Sequence, residues 1–161
     1  MLTHFQDGKA IMVDVSNKES SHRIARAVSS VLLPKQALEA LEAGGVGKGD
    51  AVAVAELAGI MAAKKTSDLI PLCHPLPLSK VSVIGSTEGN IVSFEATCKT
   101  TSQTGVEMEA LTAASVAALT LYDMLKAASK GIVIQETRLL YKEGGKSGTW
   151  QATQEDTQEQ T

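Results

Sequence analysis

Aromatic side chains are scarce in this chain, at 3% of its residues. Its interior therefore has to be assembled from the Ala, Val, Leu and Ile that supply most of its 43% hydrophobic content. Small and branched side chains bury little area apiece, so such a core is modest, and burial against further copies of the chain would add to it. At 161 residues the chain is long enough for one domain and too short for two ordinary ones. We expect a single domain over residues 1–148 and a flexible tail over residues 149–161, which is rich in Gln, Thr and acid.

Cysteine is nearly missing as well. Cys73 and Cys98 are too few for a disulfide framework and lack Cys-x-x-Cys spacing, which suits a reducing, cytoplasmic setting. The N-terminus carries no basic patch followed by an apolar run, and no stretch of about 18 apolar residues stands out, so a soluble, untargeted protein is expected. Charge of one sign is also lacking: a formal net charge of -3 and a pI near 5.6 exclude a general binder of nucleic acid or membrane surfaces. Any anion site must be local. The histidines are His4, His22 and His74, without ligand spacing, and no metal or other cofactor is expected.

What is present is periodicity. Around His22 to Leu32, Ile24, Arg26, Val28 and Ser30 alternate with Ala25, Ala27, Ser29 and Val31, a strand pattern. Pro34 suits a helix first turn, and KQALEALEAGG reads as a short helix closed by Gly44 and Gly45. Asp50 is an N-cap for AVAVAELAGIMAAKK, with Val54, Leu57, Ala58 and Met61 along one face and an end before Pro71. Two β-rich runs, residues 80–86 and 91–100, flank Glu88, Gly89 and Asn90 as a hairpin. A long helix over residues 105–130 and a strand over residues 132–141 follow, then the GGKSG turn. This order predicts an α+β fold, a ferredoxin-like β-α-β-β-α-β sandwich whose antiparallel sheet carries its helices on one face, with one extra helix.

In the long helix Leu111, Ala114, Ala118, Leu121, Leu125 and Ala128 recur at three- and four-residue steps as a core stripe. Met108, Thr112, Asp123 and Lys126 project together, away from that stripe, within about 60° of one another. Two readings stay open for that second face. It looks toward a polar ligand, or it is solvated and Asp123 and Lys126 form an ordinary i,i+3 ion pair, which these residues alone favour. Fifteen positions separate Met108 from Asp123, about 22 Å along a helix, so one small ligand can hardly touch both.

IPLCHPLPLSK holds Cys73 and His74 in an extended, stiff segment between Pro71 and Pro75. Neighbours there point opposite ways, which argues against a Cys-His nucleophilic pair. His74 alone reads equally as a structural histidine or a ligand contact. GGVGKGD, with Lys48, combines flexible backbone and a helix start, as an anion site needs, but Glu42 and Gly49 occupy positions that a Walker A loop gives to Gly and to Ser or Thr. GGKSG, with Lys142 and Lys146, has no helix after it. Both turns can cradle phosphate or simply be solvated. Lys64 and Lys65 close a helix and complement its dipole.

Taken together, KGDAVAVAELAGIMAAKKTSDLIPLCHPL and TGVEMEALTAASVAALTLYDMLKA resemble the cyclic pyranopterin monophosphate synthase family of molybdenum cofactor biosynthesis, and the resemblance runs from Met12 to Gly148. It implies that a cyclised dihydroguanosine triphosphate, supplied by a preceding radical enzyme, is rearranged to cyclic pyranopterin monophosphate with release of diphosphate, a lyase reaction. It also implies that Leu72, Cys73, His74, Met108 and Glu109 contact substrate, that Asp123 is a catalytic acid/base with Lys126 beside it and Lys48 as a further catalytic position, and that Lys64 and Glu107 are polar, substrate-binding positions of the same pocket. Lys142 and Lys146 join the lysines that could neutralise the departing diphosphate without a metal. The family pattern further implies a hexamer built from dimers with active sites at subunit interfaces, in keeping with the reach of the long helix. One position departs from it: Glu56 stands where many members carry arginine. A ligand-binding or regulatory module, or a purely structural assembly protein, would share the fold, since fold alone does not give function.

Overall fold

The computed structural model describes residues 3–44 and 50–153. A short hairpin comes first, β1 (Phe5–Gln6) and β2 (Lys9–Ala10), turned by Asp7 and Gly8 at φ 52° and 76°. An Asp-Gly pair favours this tight turn, in which both central residues have positive φ.

The main sheet begins at β3 (Ser21–Leu32), whose alternation holds: Ala25, Ala27, Ser29 and Val31 are fully buried. Three helices follow, α1 (Lys35–Glu42), α2 (Ala51–Ala63) and the single turn α3 (Thr66–Leu69). The hairpin β4 (Leu78–Glu88) and β5 (Ile91–Ser102) leads into α4 (Glu107–Leu125), then β6 (Val133–Glu143) and β7 (Trp150–Gln151). The sheet order is β4-β5-β3-β6-β7 and every pairing is antiparallel. Without β7 this is the expected β-α-β-β-α-β sandwich. Trp150 and Gln151, which the sequence reading placed in the tail, pair with Lys142 and Tyr141 as an added edge strand.

Asp50 caps α2 as expected, its carboxylate accepting from the amides of Val52 at 3.0 Å and Ala53 at 3.1 Å. The face that α2 buries is not the one its large residues mark. Ala51, Ala55, Gly59, Ala62 and Ala63 face inward, while Leu57 and Met61 are 58% and 59% exposed. The reason is the tight crossing of α2 and α4: a Cβ on Gly59 would lie 2.8 Å from the carbonyl oxygen of Ala113 and 3.3 Å from Cβ of Ala117. Only small side chains fit that seam.

This second contact also corrects the reading of the long helix. It begins at Glu107 and ends at Leu125, not at residues 105 and 130. Ala114, Ala118, Leu121 and Leu125 are fully buried as expected, whereas Leu111 is only partly buried and Ala128 lies beyond the helix. Thr112, assigned to the polar face, is buried, so no continuous polar face runs from Met108 to Lys126. The helix is long and apolar enough to cross a bilayer, and its place between the sheet and α2 accounts for that composition.

Glu56 has a local role. Its Oε1 accepts a 2.8 Å hydrogen bond from the backbone N–H of Gly85 on the edge strand β4. Gly85 itself leaves room for α2, since a Cβ there would lie 2.6 Å from Cγ1 of Val52.

Candidate functional site

The start of α4 meets the extended segment after α3 at one end of the sandwich. A cavity of about 250 Å³ opens there, lined by Leu72, Cys73, His74, Glu107, Met108 and Glu109, with Val13, Val15 and Lys18 from the chain preceding β3. His74 is fixed by contact between its Nε2 and the carbonyl oxygen of Val13 at 2.7 Å, which ties the N-terminal segment over the cavity. Structural anchoring and a place in the cavity wall thus belong to the same imidazole.

A wider cleft of about 770 Å³ continues from this cavity, sharing Lys18, Gly105 and Glu107 with it and adding Arg23, Lys142 and Lys146. The GGKSG turn forms its far wall. Gly144 and Gly145 adopt φ of 103° and 75°; a Cβ on Gly144 would collide with the carbonyl oxygen of His22, and one on Gly145 with the guanidinium of Arg23. Arg23 is held in turn by donating to the carbonyl oxygens of Ser102 at 3.2 Å and Gln103 at 3.3 Å. Lys142 pairs with Glu107 at 3.1 Å and donates to Oγ of Ser147 at 2.7 Å.

The two carboxylates in the first turn of α4 have different surroundings. Glu107 faces Lys142 across the cleft. Glu109 is almost fully buried, and burial pushes its carboxyl up to about 7; its own backbone amide opposes the shift and the charge of Glu107 adds to it. Burial, with Glu109 second, also pushes the Cys73 thiol up, which makes Cys73 a poor nucleophile. Behind them Cys98 is held as a neutral thiol, pushed up to about 12 by burial first and by Glu109 second.

Of the residues singled out in the sequence, Leu72, Cys73, His74, Glu107, Met108, Glu109, Lys142 and Lys146 come together in these adjoining hollows. Lys64 does not: it is exposed at the C-terminal cap of α2, beside a separate depression with Ile60 and Lys80. Asp123 and Lys126 pair with each other at the opposite end of α4, more than half exposed, and line neither hollow. Lys48 lies outside the described residues. Lys18 and Arg23 were missed; the local signal for Arg23 was a cation at the start of β3, which alternation alone does not separate from a solvated edge position. Among the described residues no group of three or more His, Cys, Asp or Glu side chains is arranged to hold a metal ion.

The fold and these hollows define an α+β protein of the ferredoxin-like class with an apolar, acid-bearing cavity opening into a cleft lined by four cations, an arrangement suited to a small molecule that carries phosphate. The chain belongs to the MoaC family, whose model matches residues 12–145. A cyclic pyranopterin monophosphate synthase of Dinoroseobacter shibae is 55% identical over 154 residues, covering 94% of this chain and 98% of that protein. Proteins of the same name from Thermomicrobium roseum and Novosphingobium aromaticivorans are each 53% identical, covering 92% and 95% of this chain.

Proposed function

We propose that this protein is a cyclic pyranopterin monophosphate synthase of molybdenum cofactor biosynthesis. It takes the cyclised dihydroguanosine triphosphate made by a preceding radical enzyme, rearranges it to cyclic pyranopterin monophosphate and releases diphosphate. Family membership and the relatives' shared name support the reaction. The observation that carries the reading of the site is the continuity of the two hollows: one suits a heterocycle, with Leu72, Cys73, His74, Met108 and Glu109 around it, and the other a polyphosphate, with Lys142, Lys146, Lys18 and Arg23.

Opening a purine-derived ring and closing a pyran and a cyclic phosphate all require proton transfers. Asp123 and Lys126 are the acid/base pair in this reading, with Lys48 and Lys64 as further cations at the phosphates. Because Asp123 sits about 22 Å along α4 from Met108, it serves the cavity of another copy. The exposed apolar face of α2, with Leu57 and Met61, supports self-association, and we read the assembly as a hexamer made from three dimers, working in the cytoplasm. The purified protein, given the cyclised triphosphate, should yield the pyranopterin product by mass, and Asp123→Asn should lower turnover at least about a hundredfold. Tight nucleotide binding with no product, and indifference to Asp123→Asn, would overturn the reading in favour of a binding module.

A further inference from the structure

Glu109 lines the cavity and is nevertheless only 4% exposed. Glu107, two residues before it, pairs with Lys142 of β6, and among the described residues Glu109 makes no ion pair. The other titratable groups around it are Cys73 and His74 from the extended segment, Cys98 from β5, and His4 and Lys18 from the N-terminal segment across the cavity. The other cations of the wider cleft, Arg23, Lys142 and Lys146, do not line this cavity. A phosphorylated ligand entering here brings further negative charge and displaces water from an acid that is already desolvated. An ionised Glu109 would oppose that entry at low local dielectric, whereas a neutral carboxylic acid would both remove the repulsion and supply an O–H donor.

We propose that Glu109 is the proton-accepting group of this site: ligand binding draws one proton from solvent onto the Glu109 carboxylate, and the resulting acid donates a hydrogen bond to an acceptor atom of the ligand's heterocycle. The inference rests on the reading of the cavity as a pocket for a purine-derived triphosphate. Burial has already brought the free carboxyl to about 7, so at neutral pH both forms are present and little free energy is needed to complete protonation. Glu107, paired with Lys142, stays on the rim and meets the cationic cleft, so the two neighbouring acids have different surroundings.

Calorimetric titration of the full chain with guanosine triphosphate as the probe, in buffers of different ionisation heat at about pH 6 and about pH 8.5, counts the protons taken up. At the higher pH the wild type should take up close to one proton more per nucleotide than Glu109→Gln, and its affinity relative to that variant should fall by about tenfold per pH unit. Equal proton counts and parallel affinity profiles would overturn the proposal, as would failure of the nucleotide to bind at either pH. The wild type also gives a readout of its own, independent of the variant. An infrared carbonyl band of a glutamic acid should titrate near neutrality and become fully protonated with nucleotide; its absence also overturns the proposal. Turnover of the cyclised triphosphate is scored separately on the same preparation. Product without the extra proton defeats this inference alone, and no product defeats the proposed function while the proton count still decides Glu109.

Discussion

In the folded chain Glu109 ionises only near 7, against an ordinary value of 4.5, because folding removes it from water. Between those two pH values the folded state holds a proton that the unfolded state has released, so stability falls as pH rises through the interval. The contribution of this residue is complete below about 4.5, declines up to about 7 and is level above. Glu109→Gln keeps the shape and cannot ionise. It should therefore be more stable than the wild type by about 1 to 3 kcal/mol at pH 8, with the gain shrinking to nearly nothing at pH 4. Denaturant midpoints at the two pH values test this, and a difference independent of pH would count against a buried, titrating Glu109. The same residue shows what sequence spacing leaves out. Glu107 and Glu109 are equivalent as letters, and only the distance to Lys142 and the depth of burial distinguish the paired acid from the isolated one.

The elements were largely legible because period-two alternation in β3 and β5 and the Asp50 cap report local geometry directly. Their packing was less so. In α2 the large side chains Leu57 and Met61 suggested the inward face, yet the helix turns alanines and Gly59 toward α4. A seam of small residues carries little hydrophobic signal, and its strength comes from close approach, which appears only when both helices are in place. Gly59→Val should open the seam, since the added Cβ alone would sit 2.8 Å from the Ala113 carbonyl oxygen and 3.1 Å from Cγ2 of Val83. We expect a loss of about 3 kcal/mol or more, measured by thermal or denaturant unfolding. A nearly neutral Gly59→Val would mean that α2 and α4 are not closely packed. By the same logic the β1–β2 hairpin was readable from Asp7-Gly8 but was overlooked between short polar runs, and β7 owes its strand to pairing with β6 and not to any pattern of its own.

At the scale of the whole molecule, the unresolved link between sequence and site is distance. Motifs near both ends of α4 resemble parts of one active site, yet in a single chain the end bearing Met108 and Glu109 borders the cavity while Asp123 and Lys126 lie at the other end, exposed and paired together. A rigid helix cannot bring them together; a second copy can, and the apolar face that α2 leaves uncovered gives such a copy something to pack on. Shared sites make a quantitative prediction. His74→Ala damages the cavity end and Asp123→Asn the distal end, so each variant alone should be nearly inactive. In an equal mixture whose subunits exchange at random, a site is intact when its cavity comes from the Asp123 variant, half of the chains, and its distal end from the His74 variant, again half. Turnover should therefore recover to about a quarter of the wild-type value. Mass analysis of differently tagged subunits verifies that exchange has taken place. Mixtures that have exchanged and stay inactive would require each chain to complete its own site, and would remove Asp123 from the chemistry of the cavity described here.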